Sequence, residues 1–390
     1  MPFAVVGCPG DRRVTLFASA CRAAGLPEPQ VIGWPAVLRG DVRLPDGVPV
    51  RIDSPGEDPE ADALLRGGVA PTSVGGGARW YAGFVAGLRR IESAARDAGA
   101  PLLNDPSEIA VMFDKRLCHA RLAAAGVPVP PALPGITGYA SLRARMAEAG
   151  ERRVFVKPAH GSSASGVIAL EVAPARSPGV RSSGARSPGA RSPGVRAGMG
   201  DGVRIKAVTS AARRPDGFHN SLRVQTYRSE SEVAELVDTL APDGLHVERW
   251  MPKAALNGRV LDLRVVVVAG VPTHAVVRTS TVPMTNLHLG GRRGDLAAVR
   301  NALGEDGWHE AMDVCARAAA CFPGSLMVGV DLLVGLGWKR FAVGEVNAFG
   351  DLLPGLPGLP DGPAAGADTY TAQVRAALSA LSGTGAVCAT

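Results

Sequence analysis

Phe155-Val156-Lys157-Pro158-Ala159-His160-Gly161-Ser162-Ser163-Ala164-Ser165-Gly166-Val167 decides how this chain reads. A short apolar run delivers a lysine, a loop of small residues follows, and a second apolar run begins at Val167. The pattern is strand, loop, strand. Small side chains let backbone N–H groups approach phosphate oxygens, and the lysine adds a point charge. The glycine–lysine–serine order that opens a helix in a Walker loop is missing. Taken alone, the stretch reads equally well as a flexible Gly/Ser turn.

Two further constellations lie downstream. Val330-Asp331 sits in one apolar strand, and Glu345-Val346-Asn347 ends the next. Strand residues two apart share a face, so Glu345 and Asn347 can address one ion, with Asp331 on the neighbouring strand. An all-oxygen donor set suits Mg²⁺ rather than zinc. The competing reading is a set of solvated strand ends. The other constellation is His246-Val247-Glu248-Arg249-Trp250-Met251, followed by Asp262-Leu263-Arg264. Its backbone can lie along a planar base, with apolar side chains around it and Asp262 placed for a ribose. Alone it is a strand with a polar edge.

Around these stretches the chain alternates short apolar runs with helical spacing. Residues 3–7, Val31–Trp34 and Val48–Ile52 read as strands, and residues 14–24 as a helix. Together they predict a parallel α/β unit in the first hundred residues. A glycine-rich loop, Gly67–Gly77, precedes a helix running from Ala78 to about Ala98. One helix is expected from Ser107 to Ala125, capped by Gly126. Beyond the lysine strand come strands at Val203–Ala211 and Ser221–Tyr227, then a helix at Glu230–Leu240. Strands follow at Leu245–Trp250, Leu261–Val268 and Pro272–Thr279. A helix at Asp306–Cys321 precedes the pair Val328–Val334 and Arg340–Val346. Arg79, Trp80 and Tyr81 follow the glycine loop. They read either as an acceptor-pocket wall or as packing of the helix on its sheet.

Composition narrows the class. The 390 residues are 46% hydrophobic and 20% charged, as in a folded globular chain of two or three domains. No apolar run reaches the ~18 residues of a spanning helix. The start, Met1 to Arg13, reads as a first strand rather than a signal peptide. The net charge of +6 suggests nucleic acid, but five arginines recur every five residues between 174 and 200 with no acidic residue, which leaves about +1 elsewhere. That stretch of Arg, Ser, Pro and Gly reads as a disordered insertion at a hairpin tip. Only five of the 42 basic residues are lysines, Lys115, Lys157, Lys206, Lys253 and Lys339, so each lysine is a marked choice. The six cysteines show no Cys-x-x-Cys pair or zinc spacing and read as small buried hydrophobes in a reducing cytoplasm.

In order along the chain, these residues resemble the ATP-grasp superfamily over about 105–355. They are similar to its branch of RimK-type and D-alanine–D-alanine ligases, which implies a bacterial protein. The resemblance is carried by Asp114-Lys115, Val156-Lys157-Pro158, Val247 to Met251, Asp262-Leu263-Arg264, Asn286-Leu287-His288-Leu289-Gly290-Gly291, Gly329-Val330-Asp331 and Glu345-Val346-Asn347. Each is weak alone; seven in order are not. It implies an α/β fold, with α+β character in the grasp. An N-terminal parallel α/β domain (1–103) would precede two grasp subdomains, 104–245 and 246–385. It implies ATP with Mg²⁺, or Mn²⁺ in its place.

By the same resemblance, Lys115 and Lys157 contact phosphates, and His160, Gly161, Ser162, Ser163 and Gly166 belong to the loop over them. Glu248, Arg249, Trp250 and Met251 frame the adenine, and Asp262 meets the ribose. Arg264, Arg278 and Asn286 serve catalysis, and Asp331, Glu345 and Asn347 hold metal. The activity implied is ligation of a small-molecule or peptide carboxylate to an amine or thiol through an acylphosphate, in the cytoplasm, without nucleic acid or membrane. A small-molecule kinase and a non-catalytic ATP binder are the alternatives. His160 and His288 read either as phosphate contacts or as structural histidines. Met284 and Leu289 stand where the RimK pattern has basic residues.

Overall fold

The computed structural model describes residues 2–56, 58–161, 164–174, 203–350 and 353–384. Ser162, Ser163 and the basic stretch 175–200 lie outside the described residues.

The first unit runs β1 (Ala4–Gly7), α1 (Arg12–Ala23), β2 (Gln30–Gly33), α2 (Trp34–Arg39), β3 (Val50–Ile52), α3 (Pro59–Arg66) and α4 (Gly77–Asp97). Its strands are parallel in the order β2-β1-β3, as strand–helix alternation dictates. Helix α4 buries Phe84, Leu88 and Ile91 against Trp34 and Val37.

The second unit contains α5 (Pro106–Phe113), α6 (Lys115–Ala124), α7 (Tyr139–Glu148), β4 (Arg153–Pro158), β5 (Ile168–Pro174), β6 (Val203–Arg214), β7 (Gly217–Tyr227), α8 (Glu230–Leu240) and β8 (Leu245–Arg249). Its sheet is antiparallel, ordered β7-β6-β5-β4-β8. The single helix expected at Ser107–Ala125 is two helices. Asp114 takes an extended backbone, φ −102° and ψ 107°, and its carboxylate accepts from the N–H groups of Arg116 and Leu117. An aspartate that caps the next helix ends the previous one, and Lys115 becomes the first residue of α6.

The third unit holds β9 (Ala255–Leu256), β10 (Arg259–Val268), β11 (Val271–Ser280), β12 (Arg292–Arg293), α9 (Leu296–Ala320), β13 (Met327–Val334), β14 (Phe341–Asn347) and α10 (Thr369–Thr384). The sheet runs β12-β11-β10-β13-β14, with β9 on β10. Helix α9 starts ten residues before the expected Asp306. Gly304, at φ 69° and ψ 172°, interrupts its helical backbone and so hid the first turns from periodicity. The last helix returns to the first unit, where Tyr370, Val374 and Ala377 pack on Phe3, Val14 and Phe17.

The cleft-lining strands β4 and β10 follow the period-two rule. In β10, Leu261, Leu263, Val265 and Val267 face the core under α9, which leaves Asp262 and Arg264 on the opposite face. In β4, Val154 and Val156 face the core, leaving Phe155 and Lys157 opposite. These two polar faces look at each other across a cleft. Four cysteines, Cys8, Cys21, Cys118 and Cys315, are buried thiols. Burial pushes Cys8 and Cys118 up to about 12, so neither is a ready thiolate.

Candidate active site

The cleft is built from cross-strand pairs. Lys157 is the register partner of His246, and Phe155 of Glu248, so all four side chains share the inner face of β4 and β8. Lys157 Nζ lies 2.6 Å from Glu248 Oε1, and Glu248 Oε2 lies 3.1 Å from His246 Nε2. Burial pushes the Glu248 carboxyl up, but Lys157 and His246 outweigh it and hold it below its ordinary range. Burial likewise opposes the charge on Lys157, and Glu248 followed by Glu345 and Asp331 raises it above the usual lysine value. Lys157 therefore stays cationic.

Across the cleft, Asp331 on β13 is the register partner of Glu345 on β14, and Gly329 of Asn347. The ladder then slips: Leu332 pairs with Val343, so Gly344 is an extra residue in a β-bulge. Its carbonyl leaves the ladder and accepts from Lys157 Nζ at 3.3 Å. Lys115, at the start of α6, places Nζ 3.1 Å from Glu345 Oε1 and donates to the Gly161 carbonyl at 2.6 Å. One lysine thus ties the glycine-rich loop to the carboxylate strand.

A second chain of charges crosses the floor. Asp262 pairs in register with Arg278, and Arg264 with Asp331. Asp262 Oδ1 accepts from Arg278 Nε at 2.8 Å, while Asp331 meets Arg264 Nε at 2.8 Å and Arg278 at 3.1 Å. Lys253 Nζ reaches Asp262 Oδ2 at 3.3 Å, and the Thr285 hydroxyl donates to the same oxygen. Burial pushes Asp262 up, but Arg278 and Lys253 hold it well below the usual carboxylate range. For Asp331 burial wins over Arg264 and Arg278, and its carboxyl is raised. Five cations, Lys115, Lys157, Lys253, Arg264 and Arg278, face four carboxylates, Glu248, Asp262, Asp331 and Glu345.

Other expected residues sit differently. Arg249 lies on the opposite face of β8 from Glu248, and its guanidinium pairs with Glu151 outside the cleft. Trp250 packs on Phe155, ring centres 5.1 Å apart. Met251 lies against Gly335, where a Cβ would come within 2.7 Å of its methyl group. The Asn286 side chain accepts from His288 N–H and caps its own turn, and His288 is exposed. His160 is clamped from two sides, by Asp114 Oδ2 at 2.9 Å and by the Tyr81 ring at 4.1 Å. Trp80 stacks on Phe84 and Phe113, as the packing reading of that helix requires. The amide of Gly166 donates to Ser210 Oγ at 3.1 Å, which pins the far end of the loop.

Met284 and Leu289 are buried with Val167, Ala169 and Val208 of the facing sheet. Apolar residues stand there because that loop packs on apolar strands. Lys253, Thr285 and the Gly344 carbonyl were missed by sequence reasoning. Only Lys253 left a signal, as one of few lysines in an arginine-rich chain.

Asp331, Glu345 and Asn347 offer two carboxylates and an amide oxygen on adjacent strands, a donor set that fits Mg²⁺ or Mn²⁺. Among the described residues no group of three His, Cys, Asp or Glu is already gathered for a metal. Here Arg264, Arg278 and Lys115 neutralise the two carboxylates, and a divalent ion would take over that task.

Solved structures share this architecture from end to end. D-cycloserine synthetase DcsG superposes with a TM-score of 0.55 at 18% identity, covering 98% of this chain and 100% of its own. The ATP-grasp ligase PsnB, complexed with minimal precursor, Mg and ADP, gives 0.50 at 18%, covering 97% and 96%. The macrocyclase MdnC from Microcystis aeruginosa MRC, bound with precursor peptide MdnA, gives 0.50 at 12%, covering 97% and 99%. No family model matches the sequence, and no curated protein matches it. At such identities the likeness is one of fold.

Proposed function

We propose that this chain, whose fold is the ATP-grasp fold, is an ATP- and Mg²⁺-dependent ligase joining a carboxylate to an amine. One observation carries the reading. Lys115 and Lys157 face Asp331, Glu345 and Asn347 across a single cleft, and both lysines contact the β14 strand directly. A triphosphate brings anionic charge that five cations can receive. The four carboxylates would repel it unless divalent ions came with it.

When bound, Mg²⁺ on Asp331, Glu345 and Asn347 would neutralise phosphate charge. Lys157 would release the Gly344 carbonyl and hold phosphate oxygens. Lys115 would keep the glycine-rich loop, through Gly161, over the same oxygens. Glu248 and the backbone to Met251 would frame the base. Both Asp262 oxygens are already held by protein donors, so a ribose would have to share Oδ2 with Lys253 and Thr285 or Oδ1 with Arg278. A substrate carboxylate oxygen would attack the γ-phosphorus and expel ADP. The amine nitrogen would then attack the acyl carbon, lose a proton and expel phosphate. Arg264 and Arg278, both beside Asp331, would supply donors for the charge that develops. Cys8, Cys21, Cys118 and Cys315, buried and unpaired among the described residues, suit a reducing cytoplasm. No helix among the described residues is long and apolar enough to cross a membrane.

The test is release of ADP and phosphate with pooled amino acids and short peptides. Free phosphate that appears only when acid and amine are both present supports ligation. A phosphorylated acceptor without free phosphate makes it a kinase. Tight ATP binding without turnover makes it a non-catalytic binder.

A further inference from the structure

Lys253 lies between the β8 strand and β10 and has so far no task. Its side chain is only 8% exposed, although an ammonium is costly to bury. It spends its hydrogen bonds on Asp262 Oδ2 at 3.3 Å and Thr285 Oγ1 at 3.0 Å. The Thr285 hydroxyl also donates to Oδ2, so this oxygen is fully engaged. The other oxygen, Oδ1, is left to Arg278 Nε. Asp262 thereby holds Arg278 through Nε alone, with a terminal nitrogen 3.1 Å from Asp331 Oδ2.

We propose that Lys253 is a positioning residue: by sharing the charge of Asp262 it leaves Arg278 divided between Asp262 and Asp331. The inference rests on the reading above, in which Asp331 helps to hold a divalent ion. Without Lys253, Asp262 would be a buried carboxylate with Arg278 as its one remaining counter-charge. Arg278 would then close on Asp262 with two nitrogens of one guanidinium edge, the bidentate geometry it favours, and leave Asp331. A compact ammonium on a flexible stem can serve a carboxylate and a hydroxyl together, whereas a planar fork fixes its donors in one plane. That accounts for a lysine here in a chain whose basic residues are mostly arginine. Thr285 extends the set to the other sheet, because its neighbour Met284 is buried against Val167 and Val208.

The experiment is a double-mutant cycle on the full chain, read by Mn²⁺ binding in the presence of ADP. The variants are Lys253→Met, Asp262→Asn and the pair together. Lys253→Met should tighten Mn²⁺ roughly tenfold, because Arg278 leaves Asp331. In the Asp262→Asn background the same change should shift Mn²⁺ affinity by less than about twofold. Lys253→Arg keeps the charge but not the shape. It should move Mn²⁺ affinity measurably, and it checks the inference should Lys253→Met fail to fold. Equal tightening in both backgrounds would mean simple loss of a positive charge and would overturn the inference. So would no change in either, or a silent Lys253→Arg. Absence of Mn²⁺ binding by the wild-type chain with ADP would overturn the ligase reading and this inference together, which separates the two failures.

Discussion

Lys157 and Gly344 join the two sheets across the cleft: the ammonium of one donates to the carbonyl that a β-bulge has freed in the other, at 3.3 Å. On the proposed reading, a triphosphate entering the cleft would take this lysine over from the Gly344 carbonyl. Lys157→Met should weaken ADP or ATP affinity at least tenfold, about 1.4 kcal/mol or more. It also strips Glu248 of its main counter-charge, so the fold should lose about 3 kcal/mol in urea unfolding. Unchanged nucleotide titration would remove Lys157 from the site.

Glu345 and Asp331 should separate binding from folding. Lys115 faces one carboxylate and the two arginines the other, so each can be neutralised without opening a cavity. Glu345→Gln and Asp331→Asn should each weaken Mn²⁺ binding by about tenfold or more, with a melting temperature within a few degrees of wild type. Full Mn²⁺ affinity in both would move the metal site elsewhere.

Acid should destabilise the protein through Asp114 and Glu248. Burial pushes both carboxyls up. Hydrogen bonds from His160 and Arg116 at Asp114, and Lys157 at Glu248, more than reverse this and hold both below their ordinary values. A folded-state value below the unfolded one contributes stability that is complete above the unfolded value, about 4, and is lost as pH falls through the folded value. Urea midpoints should therefore be flat down to about pH 5 and drop below about pH 4. Asp114→Asn, whose amide oxygen can still cap α6, should flatten that drop. A steeper drop in the variant would contradict the sign.

Met284→Arg would introduce the basic residue that the resemblance to RimK-type ligases implies at this position. It places a guanidinium among Val167, Ala169, Val208 and Leu289. The expected cost is about 3 kcal/mol, read as a lower urea midpoint. A neutral effect would show that this loop leaves the apolar cluster readily.

Residues 175–202 depart from Pro174 and return at Val203, and these two are register partners. A two-residue Asn-Gly turn can therefore join β5 to β6. That deletion should leave ADP affinity within about twofold of wild type. A large loss would give the stretch a part in nucleotide binding.

What the sequence determined by itself is local. Alternation in β4, β10 and β13 placed Lys157, Asp262, Arg264 and Asp331 on polar faces, because side chains on a strand change sides at every residue, whereas in β14 the bulge at Gly344 turns Glu345 away from the core face of Val343. Strand–helix alternation gave the parallel first unit, and apolar runs gave most strands to within a few residues. Tertiary structure decided whatever depends on a partner distant in the chain. Asp114 breaks a helix because its carboxylate finds the next helix and His160. Arg249 turns from the cleft to Glu151. Lys253, Thr285 and the Gly344 carbonyl enter the site only when separate strands and loops converge. Periodicity records which face a side chain takes, whereas the charge it meets there is set by strands brought together from elsewhere in the chain.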